Sequence, residues 1–220
     1  MPQKSNKTLV TLLLDRSGSM EEIRDETIEA VNSYISHLKD SQDDIRLSLA
    51  LFDSPFPGTE MKLEKIFVAK KVDKVQLLTR SDFAPRGGTP LLDAVATTIL
   101  AVEESLIGKT AKVVLAIQTD GDERHSKDFS WNAVKAMISA KEKAGWQVNF
   151  LGAGINAYKQ GERLGISRAQ TLSYGVDREA TRNAFAATAA VTRGFASGAM
   201  ATTSYSSDHK LSAGDLWTDK

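Results

Sequence analysis

The chain has 220 residues, with 28 Lys and Arg balanced by 28 Asp and Glu, and it contains no Cys. The balanced charge argues against wholesale binding to nucleic acid or to an anionic membrane, because both need a basic excess. The absence of Cys excludes disulfides, iron–sulfur clusters and thiolate zinc sites, and three His leave little scope for a multi-His site. Any bound metal ion is therefore expected to be a hard ion held by oxygen ligands.

The sequence also bears on where the protein acts. No apolar run reaches the roughly 18 residues of a membrane-spanning helix. The short apolar stretch at residues 9–14 runs directly into Asp15 and has no cleavage region, unlike a signal peptide. We therefore expect a cytoplasmic protein that does not bind membranes.

Apolar runs alternate with amphipathic segments along most of the chain. In chain order, the patterns predict a strand at 8–14, a helix at 20–39, strands at 45–52 and 65–72, a helix at 91–106, a strand at 112–117, a helix at 129–144, a strand at 146–151, a helix at 158–164, a strand at 171–176 and a helix at 177–191. The strand at 65–72 is less apolar than the others, which favours an edge position. The alternation predicts an α/β fold: a doubly wound, mostly parallel six-stranded sheet with one antiparallel edge strand and helices on both faces.

The C-terminal residues differ from the rest in composition. We expect one domain at 1–193 and a tail at 194–220, in which 15 of the 27 residues are Gly, Ala, Ser or Thr. This composition suggests weak order. The tail also carries large apolar side chains, among them Tyr205 and Trp217. It therefore either packs across the domain or binds a partner, and the sequence favours neither alternative.

Oxygen-bearing side chains follow the predicted strands. The first strand leads into Asp15-Arg16-Ser17-Gly18-Ser19, the strand at 112–117 leads towards Asp120-Gly121-Asp122, and the loop before the helix at 91–106 contains Thr89. Functional residues of open α/β sheets lie beyond the carboxyl ends of the strands. We therefore expect five of these side chains to converge on one point: Asp15, Ser17, Ser19, Thr89 and Asp120.

This set of residues resembles the metal-ion-dependent adhesion site of von Willebrand factor type A domains, whose pattern is Asp-x-Ser-x-Ser, then a distant Thr, then a distant Asp. The phrases LLLDRSGSM, GGTPLLDAV and AIQTDGDE are also similar to that family, and the resemblance covers roughly residues 7–192. It implies a Rossmann-like interaction domain without enzymatic activity. The five converging side chains would hold Mg²⁺, or alternatively Mn²⁺ or Ca²⁺, and an Asp or Glu of a partner protein would complete the coordination.

Two of these five residues, and several residues beside them, have roles to weigh other than metal binding. Arg16 and Asp122 are expected on the rim, where they would contact the partner. Ser19 also fits the first position of a helix capping box, and Thr89 before Pro90 fits a helix start. Asp53 ends the second predicted strand, and we expect it to serve in a turn, with a place near the site as the alternative. We expect His125 to be a solvated loop residue.

Two other classes of protein share part of this pattern. Haloacid-dehalogenase-like phosphohydrolases also place an Asp after the first strand and use Mg²⁺. Their general acid lies two residues further on, where this chain has Ser17, whose hydroxyl cannot serve that role at neutral pH. Residues 152–157 imitate a dinucleotide-binding Gly-x-Gly motif, but the predicted helix after them is short. We expect an interaction module, with the Mg²⁺-dependent phosphohydrolase as the alternative.

Overall fold

The computed structural model describes residues 7–56 and 58–217, so residues 1–6 of the predicted domain and 218–220 of the predicted tail lie outside it. The strands are β1 (Thr8–Asp15), β2 (Ile45–Asp53), β3 (Lys62–Lys71), β4 (Lys112–Thr119), β5 (Gln147–Ala153) and β6 (Thr171–Tyr174). The helices are α1 (Arg24–Lys39), α2 (Leu91–Ser105), α3 (Trp131–Lys143), α4 (Ala157–Leu164), α5 (Arg178–Ser197) and α6 (Ser207–Ser212).

The six strands form one sheet in the order β3-β2-β1-β4-β5-β6. All neighbouring pairs are parallel except β2 and β3, which are antiparallel, so β3 is the antiparallel edge strand. The prediction of a mostly parallel doubly wound sheet is confirmed. Because β1 lies between β2 and β4, the strand order reverses at β1, and the carboxyl ends of β1 and β4 are neighbours. Ligand sites of such sheets lie at this reversal.

A hydrophobic core on each face of the sheet explains why β1 is apolar along its whole length. Leu12 and Leu14 belong to the core under α1 and α5, whereas Leu13 belongs to the core under α2, α3 and α4. Each buried leucine side chain contributes about 1.5–3 kcal/mol relative to its exposed form. Two-sided packing therefore holds the end of β1, where Asp15 lies, at a fixed position.

Two helix starts differ from the sequence-based expectation. Residues Gly18–Ile23 form a 3₁₀ turn, and α1 begins only at Arg24. Helix α2 begins at Leu91 after Pro90, without a side-chain cap. Neither helix is therefore capped by the hydroxyl that the sequence suggested for it, that of Ser19 for α1 or that of Thr89 for α2. None of the helices described is long and apolar enough to cross a bilayer.

The C-terminal segment lies against the domain. Helix α5 extends to Ser197, so the predicted boundary at 193 falls inside a helix. Beyond it, Tyr205 is buried, its hydroxyl lies 3.1 Å from the Thr188 hydroxyl, and its N–H donates to the Ala169 carbonyl. Of the two alternatives that the sequence left open, the described residues of the tail adopt packing across the domain.

This packing predicts a stability effect for a residue of the tail. Replacing Tyr205 with Ala should lower the free energy of unfolding by about 3–5 kcal/mol, because a large buried aromatic side chain is lost. Replacing Tyr205 with Phe should cost only about 1 kcal/mol, since the ring stays buried and the hydroxyl, with its hydrogen bond to Thr188, is lost. Urea unfolding measures both. Leu211→Ala is the matched control, because Leu211 is 80% exposed in the same segment. A Tyr205→Ala effect as small as that of the control would contradict the packing.

Candidate metal centre

The Asp15 carboxylate lies at the end of β1 and is completely buried. One of its oxygens accepts a hydrogen bond of 2.7 Å from the Ser17 N–H, and the other accepts one of 2.5 Å from the Thr119 hydroxyl. Thr119 is the last residue of β4. Asp15 is therefore held between the two strands at which the sheet order reverses.

The hydroxyls of Ser17 and Ser19 lie side by side on the 3₁₀ turn that follows, with their oxygens 3.3 Å apart. Ser17 occupies the position before the turn but makes no side-chain capping bond. Ser19 lies within the turn, five residues before α1 begins, so the capping-box explanation of Ser19 is wrong. Both hydroxyl oxygens remain available to a ligand.

The loop that carries Thr89 closes on the same point from the other side. The Gly18 N–H donates to the Gly87 carbonyl over 3.0 Å, which ties this loop to the turn after β1. A Cβ added to Gly121 would lie 3.3 Å from the Thr89 hydroxyl oxygen, so Thr89 also lies against the residue after Asp120. The three segments predicted to converge are therefore in contact.

The electrostatics of the centre disfavour its two negative charges. Burial raises the pKa of Asp15 to about 7, hydrogen bonds from Thr119 and Ser17 oppose this shift, and the charge of Asp120 adds to it. Burial also raises the pKa of Asp120, partly offset by the Ser19 and Ser17 hydroxyls. A nearby cation would favour the ionised form of both carboxylates.

The donor set fits a hard divalent cation. Asp120 Oδ1 is buried and has no hydrogen-bond partner, so this oxygen is a free acceptor that a cation could satisfy. Within the described part of the chain, no cluster of three or more His, Asp or Glu side chains is positioned to hold a metal ion. The centre instead combines two carboxylates with three neutral hydroxyls. Such oxygen donors suit Mg²⁺, which keeps several water ligands.

Arg16 and Asp122 are both predicted to lie on the rim, but only Asp122 is exposed there; the prediction for the Arg16 side chain is wrong. The Asp122 side chain is 65% exposed beside the centre. The Arg16 side chain is buried and pairs with Asp53 at 2.8 Å and with Glu64 at 2.5 Å. Asp53 is also buried and accepts a hydrogen bond from Arg86, so its expected turn role is wrong.

Two acidic residues that the sequence reasoning missed hold the loop after Asp120. Glu123 accepts a hydrogen bond from the Leu92 N–H in the first turn of α2 and also from backbone N–H groups of its own loop. Asp93 is buried and accepts bonds from three consecutive backbone N–H groups, those of Lys127, Asp128 and Phe129. Both lie within the family-like phrases, but spacing alone does not reveal their backbone partners.

His125 has a more specific role than that of a solvated loop residue. Its side chain is exposed, yet its Nδ1 accepts a hydrogen bond of 3.1 Å from the Thr89 N–H. A Cβ added to Gly88 would lie 2.5 Å from the imidazole ring, so the ring packs directly on this glycine. His125 thus holds the Thr89 backbone in place from the solvent side.

The Gly-x-Gly motif after β5 has a structural explanation. A Cβ at Gly152 would lie 2.7 Å from the Cβ of Ala157, so the glycine permits close packing of β5 against α4. Gly154 has a φ of 63°, a backbone conformation that favours glycine. Helix α4 has only 8 residues. The motif serves the turn and the packing here, which removes the main reason to consider a dinucleotide.

The sequence matches the model of the von Willebrand factor type A domain over residues 10–187. Because this match spans most of the chain, the protein belongs to the von Willebrand factor type A domain family. A search among curated proteins finds no significant match.

Solved structures share the fold at low sequence identity. The pilus adhesin SpaC from Lactobacillus rhamnosus GG is 14% identical with a TM-score of 0.67, over 88% of this chain and 31% of SpaC. Manganese-loaded TRAP protein of Plasmodium vivax is 20% identical with a TM-score of 0.59, over 78% of this chain and 70% of TRAP. Proximal thread matrix protein 1 from the mussel byssus, with a zinc-occupied MIDAS motif, is 14% identical with a TM-score of 0.56. The match covers 89% of this chain and 46% of the byssus protein. The chain thus spans about a third of the length of SpaC.

The buried charge of Asp15 predicts that one substitution has opposite effects with and without metal. In EDTA at about pH 8, Asp15→Asn should raise the melting temperature by several degrees, because the folded state no longer buries a carboxylate whose pKa is raised. The gain should be smaller at about pH 5, where folded Asp15 is already protonated. With Mg²⁺ added, the wild type should gain stability and Asp15→Asn should not, and differential scanning calorimetry measures each case.

Asp122→Asn is the matched control, because it removes an exposed carboxylate beside the centre. Its melting temperature in EDTA should equal that of the wild type, and it should retain the gain with Mg²⁺. An Asp15→Asn variant that melts below the wild type in EDTA would contradict the electrostatic description.

Proposed function

We propose that the chain is a metal-dependent protein-interaction module with a complete metal-ion-dependent adhesion site. Its ligands to Mg²⁺, bound directly or through water, are Asp15, Ser17, Ser19, Thr89 and Asp120. An Asp or Glu of a partner protein completes the coordination of the ion. The observation that carries this proposal is the contact between the three segments that bear these residues, at the reversal of the sheet, with Asp15 buried and Asp120 Oδ1 left without a partner.

Charge and solved relatives support a divalent ion that faces an acidic ligand. Where the two Asp act through water, the divalent ion keeps positive charge and an open position, which a carboxylate from outside can occupy. The N-terminus of α2, next to Thr89, adds positive partial charge on the same side. The manganese and zinc named for TRAP and for the byssus protein show that this fold holds divalent ions in other chains.

The arrangement supports binding rather than catalysis. Ser17 stands where a phosphohydrolase of the haloacid-dehalogenase type needs its general acid, and a serine hydroxyl cannot serve that role at neutral pH. Asp122 is exposed beside the centre, so we assign it to the partner-facing rim. Arg16 makes no such contact through its side chain, because its guanidinium is committed to Asp53 and Glu64.

Metal binding is the first test of the proposal. Isothermal titration of the metal-free full chain with Mg²⁺, and with Mn²⁺ in parallel, should show one site. Asp120→Ala should weaken the affinity at least about tenfold because a charged ligand is lost, and Ser17→Ala should weaken it less. Asp122→Ala should bind as the wild type does. Unchanged affinity in Asp120→Ala, or no binding by the wild type, would refute the metal site.

Partner capture is the second test. The immobilised chain should retain a partner protein from its native lysate in Mg²⁺ and release it in EDTA, and Asp120→Ala bait should retain none. Replacing a single Asp or Glu of that partner with Asn or Gln should abolish binding. Capture that persists in EDTA would contradict the mechanism. Hydrolysis of p-nitrophenyl phosphate that is lost in Asp15→Asn would instead establish the phosphohydrolase alternative.

A further inference from the structure

We propose that Asp53 is a positioning residue of the metal centre, which holds the loop bearing Thr89 in place through Arg86 without itself touching the ion. This inference rests on the metal site proposed above. It concerns a residue outside the Asp-x-Ser-x-Ser, Thr and Asp pattern.

The Asp53 carboxylate joins two guanidinium groups from different segments. Asp53 is the last residue of β2 and is completely buried. One oxygen accepts a hydrogen bond of 2.8 Å from Arg16, and the other accepts one of 2.6 Å from Nε of Arg86. Arg16 lies between two metal-site residues, and Arg86 lies three residues before Thr89. Charge-assisted hydrogen bonds of this kind are the strong ones in proteins.

Backbone contacts tie the segment around Arg86 to Arg16 and to the residue after β2. The Arg86 N–H donates to the Arg16 carbonyl over 2.8 Å. Two residues on, Gly88 exchanges both backbone hydrogen bonds with Ser54, each 3.0 Å long. A Cβ on Gly87 would lie only 1.8 Å from the Ser54 carbonyl oxygen, so the loop lies directly on the end of β2. Because only two residues separate Arg86 from Thr89 in this segment, we expect a displacement of Arg86 to shift Thr89.

The position of Arg86 explains why the charge of Asp53 matters. The Arg86 side chain is 49% exposed, so it moves into solvent at little cost once its carboxylate partner is gone. Arg16 is buried and still has Glu64, so it remains near its position. Loss of the charge should therefore release the loop of Thr89 and leave Asp15, Ser17 and Asp120 in place. The centre should bind metal more weakly, but it should not disappear.

The test compares three variants of the full chain. Asp53→Asn removes the charge with little change of shape, and Arg86→Met removes the anchored group while keeping an unbranched apolar side chain. Arg24→Met is the control, because the Arg24 guanidinium holds the beginning of the same loop through hydrogen bonds to the carbonyls of Arg80 and Phe83, upstream of residues 86–89. Circular dichroism first establishes a temperature at which each variant is folded.

Mg²⁺ titration at that temperature should show affinity about 10–100-fold weaker in Asp53→Asn and in Arg86→Met, the usual range for residues that orient metal ligands. The double variant should bind no more weakly than the weaker single variant, because both act through one contact. Arg24→Met should stay within about twofold of the wild type. Wild-type affinity in Asp53→Asn and Arg86→Met, or an equal loss in Arg24→Met, would overturn the inference.

A second readout needs no metal. In ¹H–¹⁵N spectra of the metal-free protein, the amides of Gly88 and Thr89 should shift or broaden in Asp53→Asn and Arg86→Met, while that of Ser17 stays unchanged. Unchanged Gly88 and Thr89 amides would overturn the inference. If the wild type fails to bind Mg²⁺, the proposed metal site falls, and these spectra still decide whether Asp53 positions the loop. If Asp53→Asn does not fold, the half-exposed Arg86 variant provides both readouts.

Discussion

The buried carboxylate of Asp15 is the constraint on which the rest of the site depends. It lies at the end of a strand packed on both faces, and its two oxygens are held by the Ser17 N–H and the Thr119 hydroxyl. The charge of nearby Asp120 raises the pKa of Asp15 further. A buried carboxylate beside a partly buried one keeps its charge only when a positive charge or strong hydrogen bonds compensate it. The meeting of β1 and β4 at the reversal of the sheet creates this requirement, and a bound divalent ion would satisfy it.

Acidic residues outside the centre hold each of the two loops that complete it. Asp53 pairs with Arg86 in the loop of Thr89, whereas Asp93 and Glu123 join the loop after Asp120 to the first turn of α2. In each case a carboxylate from one segment accepts hydrogen bonds from another segment. Ligands held in this way need little rearrangement when an ion binds, which favours affinity. The hydroxyls of the centre are then free for the ion, because other residues organise the helix starts.

The sequence predicted the sheet and the converging segments because both depend on local patterns. The apolar run that forms β1 identifies a strand buried on two faces, and the parallel order then brings Asp15 and Asp120 to one edge. The direction of the Arg16 side chain was not predictable in this way. Its partners, Asp53 and Glu64, are 37 and 48 residues away, and no spacing rule connects them. The packing of Tyr205 was not predictable either, because the small residues around it in the sequence indicated a weakly ordered tail.

Anomalous diffraction from crystals grown with Mn²⁺ tests the central claim most directly. At the manganese absorption edge, we expect one strong peak surrounded by the oxygens of Asp15, Ser17, Ser19, Thr89 and Asp120, some of them reached through water, with one position left to solvent or to a neighbouring carboxylate. The absence of a peak at this edge of the sheet in Mn²⁺-saturated crystals, or a peak held by other residues, would contradict the account.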